Sequence, residues 1–150
     1  MGLTGYYQRP TICGDKLIFV YEDDLWLKDL SDKSTHALRL TANPGRASDP
    51  HLSPDGQMVA YTSLDEGHPE IYVTRLDEME PRRLTYLGED TRCVGWSRDG
   101  LSVLFTTSAG SPFRRIFQLA QVPAEGGPPE PLELGPAAYI SYAAKRGRVI

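Results

Sequence analysis

The sequence predicts an all-β protein built from repeated antiparallel units. Its apolar residues fall in short runs typical of strands, and the long helical-period stripes that mark α-helices are missing. It contains 14 glycines and 12 prolines, which is high for a helical protein. The segment HLSPDGQMVAYTS also returns as WSRDGLSVLFTTS, and a weaker copy, TICGDKLIFVYE, lies near the start of the chain. The sequence therefore contains three related units.

Each copy contains four predicted strands in the same order. A short apolar stretch precedes the turn, a β-branched strand follows it, and another strand and a closing segment, RLT in the first two copies, complete the unit. The predicted strands are 11–13, 17–22, 25–29 and 37–41 in copy one, 50–52, 58–63, 71–76 and 82–85 in copy two, and 92–96, 103–107, 116–121 and 131–134 in copy three. Four strands in about 41 to 46 residues is the period of a β-propeller blade.

The predicted architecture is an incomplete β-propeller domain over residues 1–150. Blade 1 is expected at 6–41, blade 2 at 48–85, blade 3 at 92–134 and the start of blade 4 at 139–150. This is about three and a half four-stranded antiparallel blades, or half of a six-bladed ring. An open stack would expose two apolar blade faces to water. We therefore expect the chain either to be part of a longer protein or to pair with a second copy that completes the ring.

The recurring Ser-Pro-Asp-Gly turn is predicted to be structural. Pro54 presets φ at the first corner, Asp55 caps the turn with its side chain, and Gly56 takes a positive φ without a Cβ penalty. Copy three keeps the Asp-Gly pair, whereas copy one has Gly-Asp in that place and is expected to turn differently. We interpret Asp55 and Asp99 as turn-forming residues and not as catalytic acids.

Composition limits the partners and the compartment. The net charge of -4 and the lack of a long Lys/Arg run argue against a nucleic-acid surface. Cys13 and Cys93 have no C-x-x-C partner and are expected to be free thiols in core strands. The N-terminus shows no secretory h-region and no stretch is long and apolar enough for a bilayer, so the expected location is cytoplasmic, without a membrane partner.

A search for catalytic chemistry finds none. The closest approach to a G-x-S-x-G nucleophile motif places Ser97 in the blade turn, and nucleotide-binding glycine loops are absent, so no cofactor is predicted. The segment DEGHPEIY gathers Asp65, Glu66, His68 and Glu70, but their spacing matches no metal template. We interpret this cluster as a solvated hairpin loop, and predict neither a metal site nor catalytic residues.

One feature departs from the repeat. Copies one and two bring acidic residues to the loop before the third strand, Asp23-Asp24 and Glu70, whereas copy three brings Phe113, Arg114 and Arg115. The sibling blades fold without this charge reversal, so either a function or a solvated arginine pair explains it. The similar pair Arg82-Arg83 lies in a recurrent strand and is interpreted as structural.

The ordered phrases YEDDLWL, RLTAN, HLSPDGQMVAYTS, DEGHPEIYV, RRLTYLG, VGWSRDG and PFRRIFQL resemble the N-terminal propeller of tricorn-type proteases. This resemblance covers nearly the whole chain and implies a hexameric cytoplasmic serine peptidase that degrades oligopeptides released by the proteasome or similar proteases. It also implies a six-bladed N-terminal propeller, a seven-bladed one, and catalytic domains further along the chain. Arg114 and Arg115 resemble the adjacent arginines that anchor the substrate's C-terminus in that family. The catalytic residues of the family have no counterpart in this segment.

Two classes of function therefore remain. The first is the non-catalytic propeller portion of a tricorn-like protease, which shapes a peptide channel. The second is a stand-alone, TolB-like propeller that acts as a protein-binding scaffold. The lack of a signal peptide favours the first, because TolB-like scaffolds are periplasmic.

Overall fold

The computed structural model describes residues 6–42, 44–111 and 116–142, which form twelve strands in three four-stranded sheets. Blade 1 consists of β1 (Gln8–Cys13), β2 (Lys16–Tyr21), β3 (Asp24–Asp29) and β4 (Leu38–Arg39); blade 2 of β5 (Ala47–Leu52), β6 (Met58–Ser63), β7 (Glu70–Arg75) and β8 (Pro81–Arg83); and blade 3 of β9 (Thr91–Trp96), β10 (Ser102–Thr107), β11 (Gln118–Pro123) and β12 (Glu130–Pro136).

The strands of every sheet follow chain order, and each pairs antiparallel with its neighbour. The predicted all-β fold, a partial propeller, is confirmed, and each predicted strand overlaps an observed one. One strand is displaced: it was predicted at 116–121, but β11 begins at Gln118. None of the described residues forms a helix long and apolar enough to cross a membrane.

The recurring turn has the same geometry in blades 2 and 3. Ser53 Oγ donates to Asp55 Oδ1 at 2.5 Å and accepts from Met58 N at 2.9 Å. Ser97 repeats the first contact, with Asp99 Oδ1, at 2.6 Å. The closing glycines have φ of +66° at Gly56 and +73° at Gly100. These bonds hold both carboxylates in the turn and lower the pKa of each below its usual value, so both aspartates are turn formers, as predicted.

Blade 1 turns more tightly than its siblings. Cys13 pairs directly with Lys16, so only Gly14 and Asp15 lie between the strands. The Lys16 ammonium then donates to the Gly56 carbonyl at 2.7 Å and ties this hairpin to the turn of blade 2.

The hydrophobic core lies between the sheets. Ile18, Val20 and Leu25 of blade 1 pack with Val59 and Tyr61 of blade 2. A second cluster joins blades 2 and 3, with members that include Ala60, Ile71, Trp96, Val103 and Phe105. A third cluster covers the far face of blade 3, where Leu104 and Leu119 meet Ile140 and Tyr142 of the segment that follows β12. Each blade therefore uses its neighbours to bury its apolar faces.

Hydrogen bonds from β9 tie blade 3 to blade 2. The Trp96 indole donates to the His51 carbonyl at 2.8 Å, and Cys93 N donates to Thr62 Oγ1 at 2.9 Å. Both cysteines are free: Cys93 is buried, and Cys13 is half-buried at the end of β1. Burial raises the pKa of the Cys93 thiol to about 12, so it remains protonated.

The face of blade 1 that points away from blade 2 carries large apolar side chains. Phe19, Trp26 and Ile12 occupy the register positions of Tyr61, Tyr72 and Leu52, which pack blade 2 against blade 1. Ile12 is 62% exposed. This face therefore has the side chains of a blade interface but no described blade against it.

A buried acid closes each of the first two blades. In blade 2, Glu70 is 1% exposed, and it accepts from Thr85 Oγ1 at 2.5 Å and from Gly88 N at 2.8 Å. Arg83 Nη2 lies 3.2 Å from Glu70 Oε1 and the same guanidinium also contacts Glu66. Thr85 Oγ1 in turn accepts from Ile71 N at 2.9 Å. We call this acid–Thr–Arg arrangement the clasp.

Blade 1 repeats the clasp with Asp24, Thr41 and Arg39. Thr41 Oγ1 donates to Asp24 Oδ1 at 2.8 Å, and Arg39 Nη2 lies 2.5 Å from Asp24 Oδ2. Arg83, one of the pair Arg82-Arg83 that was predicted to be structural, is therefore part of the clasp, and Arg39 takes the same role in blade 1. The interpretation of DEGHPEIY as a solvated loop is wrong for Glu70, which the clasp buries, and for Asp65, which is half-buried and accepts from Gly45 N.

The clasp generates a stability prediction. We expect Glu70→Ala to lower the free energy of unfolding by about 3 kcal/mol, because it leaves buried donors and the Arg83 guanidinium without their acceptor. Gln118 occupies the same register position in blade 3 but is exposed. Gln118→Ala is therefore the matched control, with an expected change within about 0.5 kcal/mol. Urea unfolding of both variants checks this, and equal losses would contradict the role of the clasp.

Candidate functional site

The first strands of the three blades meet along one edge of the assembly. β5 contacts both β1 and β9. Blades of a propeller converge toward the axis of the ring, so the edge strands that touch mark the inner edge, around the central channel. The side chains of these first strands therefore lie at the inner edge of the three blades.

All three inner strands carry a β-bulge at the same place. The register slips between Gln8 and Thr11 in β1, between Ser48 and His51 in β5, and between Cys93 and Gly95 in β9. Arg9 has φ of +51° and Asp49 has φ of +50°, which are left-handed conformations that non-glycine residues rarely adopt. Bulges of this kind redirect side chains, and they are common beside functional sites.

The bulges bring polar side chains to a shared groove. Gln8, Ser48 and Arg92 occupy equivalent register positions, and all three line a cavity of about 290 Å³. A second cavity of about 100 Å³ adjoins it, and Arg9, Asp49 and Arg92 line both. We call these three residues the channel triad.

The charges of the channel triad do not cancel. Arg9 Nη1 lies 2.8 Å from Asp49 Oδ1 and bridges blades 1 and 2. Further along the groove, Arg46 pairs with Asp23 at 3.1 Å. Among the ion pairs formed by the described residues, none includes Arg92, which is exposed. The triad therefore carries a net positive charge, centred on Arg92.

The smaller cavity also has an apolar side. Its lining includes Val94 of β9, Phe117 just before β11, and Tyr139 of the segment that follows β12. Aromatic and aliphatic groups thus lie beside the Arg92 guanidinium. An anion with an attached hydrocarbon part matches this combination better than a simple hydrated ion does.

His51 lies behind the triad on β5. Burial lowers the pKa of its imidazole, and the nearby Arg9 acts in the same direction. Asp49 and a hydrogen bond with the Cys93 backbone oppose this shift. His51 is therefore neutral near pH 7 and belongs to the packing between blades 2 and 3.

Comparison with known proteins agrees with this architecture. The family model of the tricorn protease N-terminal beta propeller domain matches residues 4–150. The chain belongs to the tricorn N-terminal propeller family. A tricorn protease homolog of Streptomyces coelicolor is 40% identical over 148 residues, which are 95% of this chain and 13% of that protein. The chain therefore spans only a small part of that full-length relative.

Two further comparisons describe the same relationship. A tricorn-like protease N-terminal subunit of Sulfurisphaera tokodaii is 32% identical, with 94% of this chain and 72% of that protein covered. The crystal structure of the tricorn protease superposes with a TM-score of 0.85 at 30% identity and covers 98% of this chain and 15% of that chain.

The predicted arginine pair of this tricorn propeller lies outside the described residues. Arg114 and Arg115 fall between Ser111 and Ile116, where the structure describes nothing, so their predicted role stays a prediction. The charge comparison that first singled them out needs correction. Asp24 and Glu70 are the first residues of β3 and β7 and are buried, and their register equivalent in blade 3 is Gln118. The arginines instead belong to a longer β10–β11 connection.

Sequence reasoning missed the channel triad of the tricorn propeller. Arg9 and Asp49 are each followed by a proline, Pro10 and Pro50, inside a first strand. Proline in a strand is confined to edges and bulges, so this repeated pair was a readable signal of the bulge. Nothing comparable marks Arg92, whose place depends on the register of β9 with β10.

His51 generates a pH prediction for the tricorn propeller. Its folded pKa lies below the unfolded value of 6.5, so the unfolded chain takes up a proton first as the pH falls. Its stabilising contribution is therefore present above 6.5 and is lost, by at most about 1.4 kcal/mol per pH unit, as the pH falls through the folded pKa. Urea unfolding at pH about 7 and about 5.5 should show this loss. His51→Gln should flatten the dependence, and an unchanged slope would contradict the assignment.

Proposed function

We propose that this chain forms the first half of a six-bladed, non-catalytic propeller of a tricorn-like serine protease. The proposed protease degrades oligopeptides downstream of the proteasome or similar proteases, in the cytoplasm, and the propeller shapes the channel that those peptides use. The match of residues 4–150 to the tricorn propeller family carries this proposal. The polar groove along the inner strands supports it, because a peptide channel needs a hydrated, charged lining.

The proposed partner is the remainder of a protease, on the same chain or as a separate subunit. The relative from Sulfurisphaera tokodaii is described as an N-terminal subunit, which supports the second arrangement. Sequencing the gene beyond codon 150 distinguishes a protease from a stand-alone scaffold. A downstream peptidase region, or a separate gene that encodes one, supports the proposal, whereas a TolB-like scaffold needs neither. A hexameric assembly of the complete protein belongs to the same proposal.

The apolar face of blade 1 leads to a prediction about assembly. We expect the isolated 150-residue chain to self-associate, with two copies sharing one ring as the preferred form, because no described blade covers Ile12 and its neighbours. Ile12→Glu should shift the chain toward monomer in light scattering. Leu101→Glu is the matched control, since Leu101 is 69% exposed in the blade 3 turn. A wild-type chain that stays monomeric and unfolds cooperatively at high concentration would contradict this expectation.

We further propose that Arg114 and Arg115 bind the C-terminal carboxylate of the peptide substrate. A guanidinium suits this task because its planar fork donates two parallel hydrogen bonds to a carboxylate and stays charged at any working pH. Anchoring the chain end would set the distance to the scissile bond and restrict cleavage to short C-terminal pieces.

The test uses the full-length protease and matched peptides with free and amidated C-termini. Arg114→Glu and Arg115→Glu should each weaken use of the free-acid peptide by roughly tenfold to a hundredfold, the value of a hydrogen bond to a charged group. The amidated peptide should change little. Arg98→Glu, an exposed arginine in the blade 3 turn, is the control for added negative charge. Equal losses on both peptides, or a wild type that does not distinguish them, would overturn carboxylate anchoring.

A further inference from the structure

We infer that the channel triad is a second peptide-binding site, in which Arg92 holds a carboxylate group of an oligopeptide. This inference rests on the proposed function, since it requires that oligopeptides reach the inner edge of the propeller. It concerns described residues, and its charged groups Arg9, Asp49 and Arg92 lie on the inner strands, whereas Arg114 and Arg115 belong to the β10–β11 connection.

The charge balance of the triad is the first argument. Asp49 is committed to Arg9 at 2.8 Å, and its side chain is only 14% exposed. A carboxylate that enters the smaller cavity thus meets the Arg92 guanidinium, which forms no ion pair with a described acid, next to Arg9, which Asp49 already balances. The nearby acid Asp90 lines only the larger cavity. Arg92 is exposed, so it can reach a bound group without unfavourable desolvation of a buried charge.

The shape of the smaller cavity is the second argument. Its volume of about 100 Å³ is small, and Val94, Phe117 and Tyr139 line its apolar side. A carboxylate with one or two methylene groups fits this mixture: the oxygens face Arg92 and the hydrocarbon faces the aromatic rings. Both an acidic side chain and the last residue of a peptide offer such a group.

The backbone geometry is the third argument. Arg9 and Asp49 hold left-handed conformations in the first strands of adjacent blades, which is unfavourable for non-glycine residues. Their side chains then meet across the blade boundary beside Arg92. Strain of this kind persists where the surrounding structure fixes it, and it is concentrated at binding sites.

The test measures binding of N-terminally labelled tetrapeptides to the full-length protein by fluorescence anisotropy. The peptides differ only in Glu or Gln at the third position and in a free or amidated C-terminus. Wild type should prefer a carboxylate-bearing peptide. Arg92→Ala should reduce that preference by about fivefold, as for an exposed charge pair. Arg98→Ala removes the same charge from the same blade and should leave the preference unchanged.

Asp49→Asn is expected to change the affinity for the carboxylate-bearing peptide in the opposite direction. Asparagine tolerates a left-handed φ, so the bulge is retained, while Arg9 loses its partner and becomes available to the ligand. Binding of the carboxylate-bearing peptide should tighten, which misfolding cannot imitate.

The peptide pairs identify the source of the carboxylate. If Arg92→Ala weakens the Glu-over-Gln preference, the site binds an acidic side chain; if it weakens only the acid-over-amide preference, the site binds the chain end. Either result supports the inference. If Arg92→Ala leaves peptide binding unchanged, or if Arg98→Ala changes it equally, the inference is overturned and the proposed function stands. Failure of wild type to bind any of the peptides overturns both.

Discussion

The burial of apolar side chains between neighbouring blades is the interaction on which this structure depends. Each sheet is apolar on both faces, so no blade can bury its own core. Ile18, Ala60 and Leu104 show this directly: they occupy one register position in three blades, and each packs on whatever follows its own blade. The sequence repeat therefore specifies the interfaces between blades as well as the strands within each blade. Because neighbouring blades pack face to face, their first strands also meet at one edge, where Gln8, Ser48 and Arg92 line a groove.

The fold could be predicted because its signals are local and repeated. The Ser-x-Asp-Gly turn closes on its own side chains, so a stretch of six residues specifies it in both blades. The displaced strand β11 shows the limit of such reasoning. Ile116 and Phe117 read as the beginning of a strand, yet pairing begins at Gln118, opposite Thr107. The connection in blade 3 is longer than in its siblings, and only the register with β10 reveals where it ends.

The candidate site was harder to predict because it depends on contacts between strands far apart in the chain. Asp24 and Glu70 appeared to be loop acids, although both are buried acceptors of the clasp, since burial is set by the threonine and arginine of a later strand. Arg9, Asp49 and Arg92 look unremarkable in the sequence, because a bulge that redirects a side chain is a property of two paired strands. Only Pro10 and Pro50 hinted at it.

Equivalent positions that differ in chemistry are where a repeated fold acquires function. The clasp, the turns and the blade cores need the repeat to stay regular, so their residues vary within narrow limits. Gln8, Ser48 and Arg92 share one register position at the inner edge and line one groove, although their side chains differ in size and charge. Positions of this kind at the inner edge can therefore differ in charge from blade to blade at little cost in stability. In these blades that pattern is two neutral groups and one cation, next to an arginine already neutralised by Asp49. The charge at this position therefore differs between the blades, although the backbone of the blades repeats.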